Sequence, residues 1–177
     1  MNFLKINLVT IMLIILLSSC SLNLESEHEI KSEIYSGLID YGKSGNLVIS
    51  SLTESQPFDK KDWQWASNIF PQLEKETWEN FLQVNSQQVP FPNNLDLDYE
   101  YTLLDVEKNP PDWSQENCVE IHYFSQIGFN SSRTQALVSS TSDYYDVTYG
   151  NLYYLERIDG SWKVADMAEG FISARVH

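Results

Sequence analysis

Cys118, Glu120 and His122 place a thiol, a carboxylate and an imidazole within one short stretch of chain, three groups able to attack carbon or move a proton. On an extended chain their even numbering puts them on one face, with Phe124 following. A thiolate–imidazole dyad needs contact at about 3 Å, whereas residues four apart on a strand stand about 13 Å apart. Cys118 and His122 therefore form no dyad along one strand, and Glu120 reaches His122 only through long side chains or water. The set reads as a half-exposed strand histidine beside an idle thiol. His28 and His177 fall ahead of the expected fold and on the last residue.

Asp96, Asp98 and Glu100 alternate with Leu97, Tyr99 and Tyr101, so three carboxylates line one face of an expected strand. Calcium takes six to eight oxygen ligands from a loop that folds around it, and this row has neither the glycine nor the spacing. It reads as a solvated face, suited to a basic partner. Trp78 and Trp162 have core or cross-strand places, which leaves Trp63, Trp65 and Trp113 to stack on a sugar or a partner protein. Trp63, Trp65, Trp113, Asp96, Asp98 and Glu100 thus form the candidate binding surface. The chain has no Gly-x-Ser-x-Gly elbow, Ser-x-x-Lys motif, zinc spacing, phosphate loop or dinucleotide fingerprint, so no catalytic residue, metal site or cofactor is expected. Acidic residues outnumber basic ones 25 to 11, for a net charge of −14, which argues against nucleic acid as a partner.

These residues must be carried by one ordinary domain, since 177 residues with 42% hydrophobic content can bury a core. Ile30, Ile34, Leu38 and Tyr41 describe an amphipathic helix over Glu27–Tyr41, stopped by Gly42 and the Lys43-Ser44-Gly45 turn. Leu47 to Leu52 reads as a buried strand. Pro57 to Pro71 fits neither period and reads as irregular with one helical turn. Trp78, Phe81, Leu82 and Asn85 mark a second helix over Glu74–Asn85, and strands are expected from Asp96 to Leu104, Asn117 to Ile127 and Thr134 to Ser140. A last hairpin, Thr148–Ile158 with Trp162–Asp166, turns at Asp159-Gly160. That turn fixes a register in which Ile158 faces Ser161, Arg157 faces Trp162, Glu156 faces Lys163 and Leu155 faces Val164. The element order predicts an α+β fold: two N-terminal helices on one face of an antiparallel, curved sheet of five to six strands. That order is similar to the cone-like sheet of the nuclear-transport-factor-2 arrangement.

The amino terminus carries an address. Lys5 precedes an uncharged block, Ile11 to Leu17, that is shorter than the roughly 20 apolar residues of a comfortable membrane span, so it reads as a signal peptide. It ends in Leu17-Ser18-Ser19-Cys20, which resembles the lipobox of bacterial lipoproteins at all four positions. The resemblance implies cleavage after Ser19, a diacylglyceryl group on the Cys20 sulfur and an acyl chain such as palmitate on its amine. Two or more chains anchor a domain durably where one does not. It also implies a bacterial cell-envelope location, at the outer membrane in a Gram-negative cell because Ser21 is not Asp. The divisions are then residues 1–19 as signal peptide, 20–29 as lipidated Cys20 and polar tether, and 30–177 as one globular α+β domain. With Cys20 acylated, Cys118 is the one thiol left, and no intramolecular disulfide forms.

Further stretches resemble a group of small uncharacterised bacterial proteins. They are Ile34-Tyr35-Ser36-Gly37-Leu38 with Leu47-Val48-Ile49, Glu76-Thr77-Trp78-Glu79-Asn80-Phe81-Leu82 with Asn85, Ile127-Gly128-Phe129-Asn130 with Thr134 to Val138, and the Tyr153 to Val164 hairpin. This likeness supports the domain boundary and assigns no catalytic residue. Gln126 stands where the group's phrase has a basic residue. Gly128 and Asn130 suit a turn, and Phe129 suits a core plug. Together these features predict a membrane-anchored envelope lipoprotein that binds an envelope protein or glycan without catalysis. Two alternatives stand beside it: an envelope hydrolase or sugar-active enzyme using Glu120, His122 or the Asp96 to Glu100 row, and an immunity or inhibitor protein whose acidic face caps a basic toxin.

Overall fold

The computed structural model describes residues 26–41, 47–55, 63–111, 119–144 and 147–174. The leader, Cys20, the Gly42 turn, Trp113 and Cys118 lie outside the described residues. Contacts divide the chain into Met1–Ile30 and Lys31–His177, and apart from the first turn of α1 every element below belongs to the second.

Helix α1 spans Glu27–Tyr41. Its start is a capping box: the Ser26 N–H donates to Glu29 Oε2 at 2.8 Å, and the Glu29 N–H donates back to Ser26 Oγ at 3.3 Å. Two backbone donors that have no partner within a helix are thereby satisfied. Strand β1 follows at Leu47–Ser50. Helix α2, Trp63–Ile69, then occupies the segment expected to be irregular. Its helical spacing runs through Trp63, Ala66 and Phe70, and the small Ala66 is fully buried, so a reading of the aromatic residues alone misses the period. Helix α3 covers Lys75–Val84 and buries Thr77, Trp78 and Phe81.

The strands after it are β2 Tyr101–Leu104, β3 Ile121–Phe124, β4 Gly128–Phe129, β5 Gln135–Tyr144, β6 Val147–Ile158 and β7 Ser161–Ala174. The sheet order is β2-β1-β3-β5-β6-β7, with β4 paired to β5 off that path. The class is α+β. The sheet is neither purely antiparallel nor limited to five or six strands: it has seven among the described residues, and β1 runs parallel to both β2 and β3. Parallel neighbours need a long crossover, and the segment carrying α2 and α3 supplies it between β1 and β2. The expected strand at Asp96 begins only at Tyr101. The Leu95 and Asp96 N–H groups donate to Tyr101 Oη and Ser36 Oγ, at 3.2 and 3.1 Å, instead of to a neighbouring strand.

Packing occurs on both faces of the sheet, where one covered face was expected. Phe124 sits opposite Ser140, and its ring meets Tyr35 of α1 at 5.7 Å. Leu137, of the opposite parity on β5, joins Ala66, Phe70, Trp78, Phe81 and Tyr154 in a second core. Ala136, Leu137, Val138 and Ser139 are consecutively buried, the signature of a strand covered on both sides.

The last hairpin adopts the register read from the Asp159-Gly160 turn, with Ile158↔Ser161, Arg157↔Trp162, Glu156↔Lys163 and Leu155↔Val164. Asp159 at φ 52° and Gly160 at φ 85° make a turn with two left-handed residues, which matches the twist of the strands it joins. Farther along, register shifts at Gly150/Asn151 and Tyr154/Leu155 insert bulges into the β6–β7 pair.

Candidate functional site

The segments 74–87 and 126–135 converge in space. Helix α3 lies so close to β4 that a Cβ on Gly128 would fall 2.3 Å from Phe81 Cα, so this glycine answers to a close backbone approach and not to a turn. Around it, Asn80 Oδ1 accepts the Phe129 N–H at 2.8 Å, and Asn85 accepts the Gln126 N–H at 2.7 Å while donating to the Phe81 and Gln126 carbonyls. The Gln126 side-chain amide in turn donates to the Val84 and Gln87 carbonyls.

Asn130 is buried, and both ends of its side-chain amide are engaged. Its Oδ1 accepts the Thr134 and Gln135 N–H groups at 2.9 and 3.0 Å. Its Nδ2 donates to Glu74 Oε2 at 3.1 Å and Thr134 Oγ1 at 2.9 Å. The turn between β4 and β5 passes through Arg133 at φ 52°. Phe129 is half-buried, its ring tilted against that of the buried Trp162 at 5.5 Å with the Arg133 guanidinium 5.9 Å from its centroid, so it covers Trp162 from the edge of the fold and is not itself a fully buried plug. A polar side chain with every donor and acceptor engaged inside the fold has nothing left for a ligand. These residues hold α3 to the sheet.

The candidate binding residues fall in two places. Trp63 and Trp65 open α2 partly buried against the second core, with Trp65 5.9 Å from Trp78. Asp96, Asp98 and Glu100 are exposed, and Leu97 and Tyr99 between them are half-buried, so the alternation persists on a segment outside the sheet.

The third constellation formed by the fold includes a residue that sequence spacing missed. His122 on β3 lies directly across from Ser142 on β5, and Ser142 Oγ stands 2.9 Å from His122 Nδ1. Glu120 Oε1 is 3.8 Å from His122 Nε2, a reach made through its long side chain. Burial holds the imidazole below its ordinary pKa, and the Glu120 carboxylate offsets this only in part, so the ring is neutral near pH 7. A hydroxyl on a neutral imidazole beside a carboxylate is the inventory of a serine hydrolase.

Among the described residues, the strands around this triplet use their backbone donors for pairing. β3 is flanked by β1 and β5, and β5 by β3 and β6, so the backbone N–H groups around His122 and Ser142 are committed to ladders on both sides. An oxyanion hole needs donors aimed at solvent-facing substrate, and those removed are worth about 3 kcal/mol each. The triplet is a satisfied cross-strand pair with a carboxylate at its rim.

On the opposite face of β5, Glu54 is mostly buried. Its Oε2 accepts Thr141 Oγ1–H at 3.0 Å. Burial raises its pKa, the Thr141 hydroxyl lowers it, and the nearby Asp143 raises it further. Asp143 accepts Thr148 Oγ1–H at 2.6 Å. Among the described residues no cluster of three or more His, Cys, Asp and Glu side chains is arranged to hold a metal ion, and no helix is long and apolar enough to cross a membrane. No protein-family model matches the chain, and no match is found among curated proteins or solved structures.

Proposed function

We propose that the chain is a bacterial envelope lipoprotein. In this reading residues 1–19 are removed, Cys20 carries the lipid, residues 21–29 form a tether, and the α+β domain binds an envelope protein or glycan without catalysing a reaction. The observation that carries it is the lipobox Leu17-Ser18-Ser19-Cys20, followed after a short polar stretch by a helix capped at Ser26. In a Gram-negative cell the lipid on Cys20 would hold the chain at the outer membrane.

Binding without catalysis is favoured by the environment of His122 and Ser142, whose neighbouring amides are used up in the sheet. The residues proposed to meet the partner are the exposed Asp96, Asp98 and Glu100 and the partly buried Trp63 and Trp65 of α2, with Trp113, which lies outside the described residues. The same reading gives the sheet a cone-like curvature under its N-terminal helices, in keeping with the two bulges of the β6–β7 pair.

Mass spectrometry of the native product tests the anchor: a Cys20 amino terminus bearing diacylglyceryl and acyl groups is expected. An intact Met1, an unmodified Cys20 sulfur, or a Cys20→Ala chain that partitions into detergent like its parent overturns it. Ester and glycoside screens test the second half. Turnover by the parent that disappears in both His122→Ala and Ser142→Ala would make the chain an enzyme.

A further inference from the structure

We infer that the outer edge of β7, unpaired by any strand among the described residues, is a self-pairing surface for a second copy of this chain, held closed in the single chain by Glu33 and Asp166. β7 is the last strand of the sheet and runs 14 residues, against a mean strand of about 5–6. Lys163 to Asp166 are exposed along it. An edge of this length presents a row of backbone groups to any passing strand unless something blunts it.

Two of those groups are occupied by carboxylates. Trp162 N–H donates to Glu33 Oε1 of α1 at 3.0 Å, and Met167 N–H donates to Asp166 Oδ1 at 2.8 Å. Both amides therefore point away from β6. The bulge explains why one is even-numbered and the other odd. Tyr154 pairs with Asp166 and Leu155 with Val164, so Ala165 is the extra residue, and the outward-facing set changes parity there.

The same bulge makes the edge complementary to itself. Glu156 faces Lys163 and Tyr154 faces Asp166, and since Glu156 and Tyr154 share a face of β6, Lys163 and Asp166 share a face of β7. A two-fold axis between Val164 and Ala165 then sets Lys163 opposite Asp166 of the second copy, twice over. It also sets Trp162 opposite Met167, the two residues whose outward amides are now capped. In an antiparallel pair such residues exchange both backbone bonds. Uncapping thus exchanges the carboxylate contacts for four interchain backbone bonds and frees Asp166 to meet a lysine. The bulge that blunts a straight edge is here matched by an identical bulge across the axis.

The test is the mass of the full-length chain in detergent, by light scattering with the micelle subtracted and at rising concentration. The parent and Glu33→Gln, which keeps an Oε1 acceptor, are expected to remain single chains. Glu33→Ala is expected to double in mass, and Glu33→Ala with Lys163→Glu, which sets like charges opposite each other, to return to a single chain. Circular dichroism and thermal melting check that each variant is folded. A parent that already pairs through β7, a folded Glu33→Ala chain that stays single at every concentration, or doubling that survives Lys163→Glu overturns the inference.

Discussion

Gly128→Ala tests whether close contact between α3 and β4 organises this domain. An added methyl carbon would lie 2.3 Å from Phe81 Cα and 2.5 Å from both Phe81 N and Phe81 Cβ. The Phe81 atoms concerned are backbone or, for Cβ, fixed by it, so no rotamer change clears the space. Overpacking in a core costs about 1–3 kcal/mol when side chains can yield. Here the helix itself must move, and its movement strains the Asn80–Phe129 and Asn85–Gln126 hydrogen bonds at 2.8 and 2.7 Å. The expected loss is about 3–5 kcal/mol, a large share of the 5–15 kcal/mol available to an ordinary domain. Urea unfolding followed by tryptophan fluorescence measures it, and with a slope of about 1–3 kcal/mol per molar the midpoint should fall by 1 M or more, roughly. Phe81→Ala in the same chain should give no rescue, because the obstacle is the Phe81 backbone. A Gly128→Ala midpoint within error of the parent, or a double variant more stable than Gly128→Ala alone, would refute the reasoning.

Asn130→Ala removes a buried amide that makes four hydrogen bonds and should cost about 2–4 kcal/mol by the same unfolding assay. Asn130→Asp keeps the acceptor but turns a carboxylate toward Glu74, so its deficit should be larger at pH 7 than at pH 4; an equal deficit at both counts against the contact. Glu54 holds its proton more tightly in the folded chain than in the unfolded one, because burial dominates its surroundings. Its contribution to stability is therefore full below the ordinary carboxylate value of 4.5 and declines as pH rises through the raised one. Glu54→Gln should flatten that decline, and melting curves that keep the parent's slope across this range would exclude Glu54 as its source. Gly160→Val forces a β-branched residue to φ 85° and should lower stability by about 1–3 kcal/mol with β6 and β7 still paired; no loss would mean the turn relaxes freely.

Local chemistry made parts of this fold legible and long-range geometry hid others. Asp159-Gly160 specifies its own dihedrals, and the register of β6 and β7 follows from it without any distant contact. The seven-residue α2 was missed because its buried face is written with an alanine between aromatics. The parallel placement of β1 between β2 and β3 could not be read at all, since nothing within Leu47–Ser50 encodes which strands will flank it. Gly128 shows the same limit at one residue. Its sequence neighbours permit a turn, and only the arrival of α3 reveals that the absent side chain is what matters.

The candidate site repeats that lesson with a functional consequence. Glu120 and His122 were visible as neighbours on one strand, and their partner Ser142 comes from 20 residues away, across a ladder whose register no local signal sets. Seen as a list, serine, histidine and glutamate invite a hydrolase. Seen in the sheet, they sit between described strands whose backbone donors are paired in ladders, and a nucleophile without free donors loses the electrostatic term that usually dominates acyl transfer. Unused backbone donors in this fold belong instead at the sheet's ends. On β7 two outward amides are met by Glu33 and Asp166, carboxylates that accept but do not donate, which is the arrangement expected where a strand edge must be kept from pairing and not where a substrate must be bound. Under the proposed binding role a partner would meet the rim and the exposed acidic segment, with the interior of the sheet holding them in place.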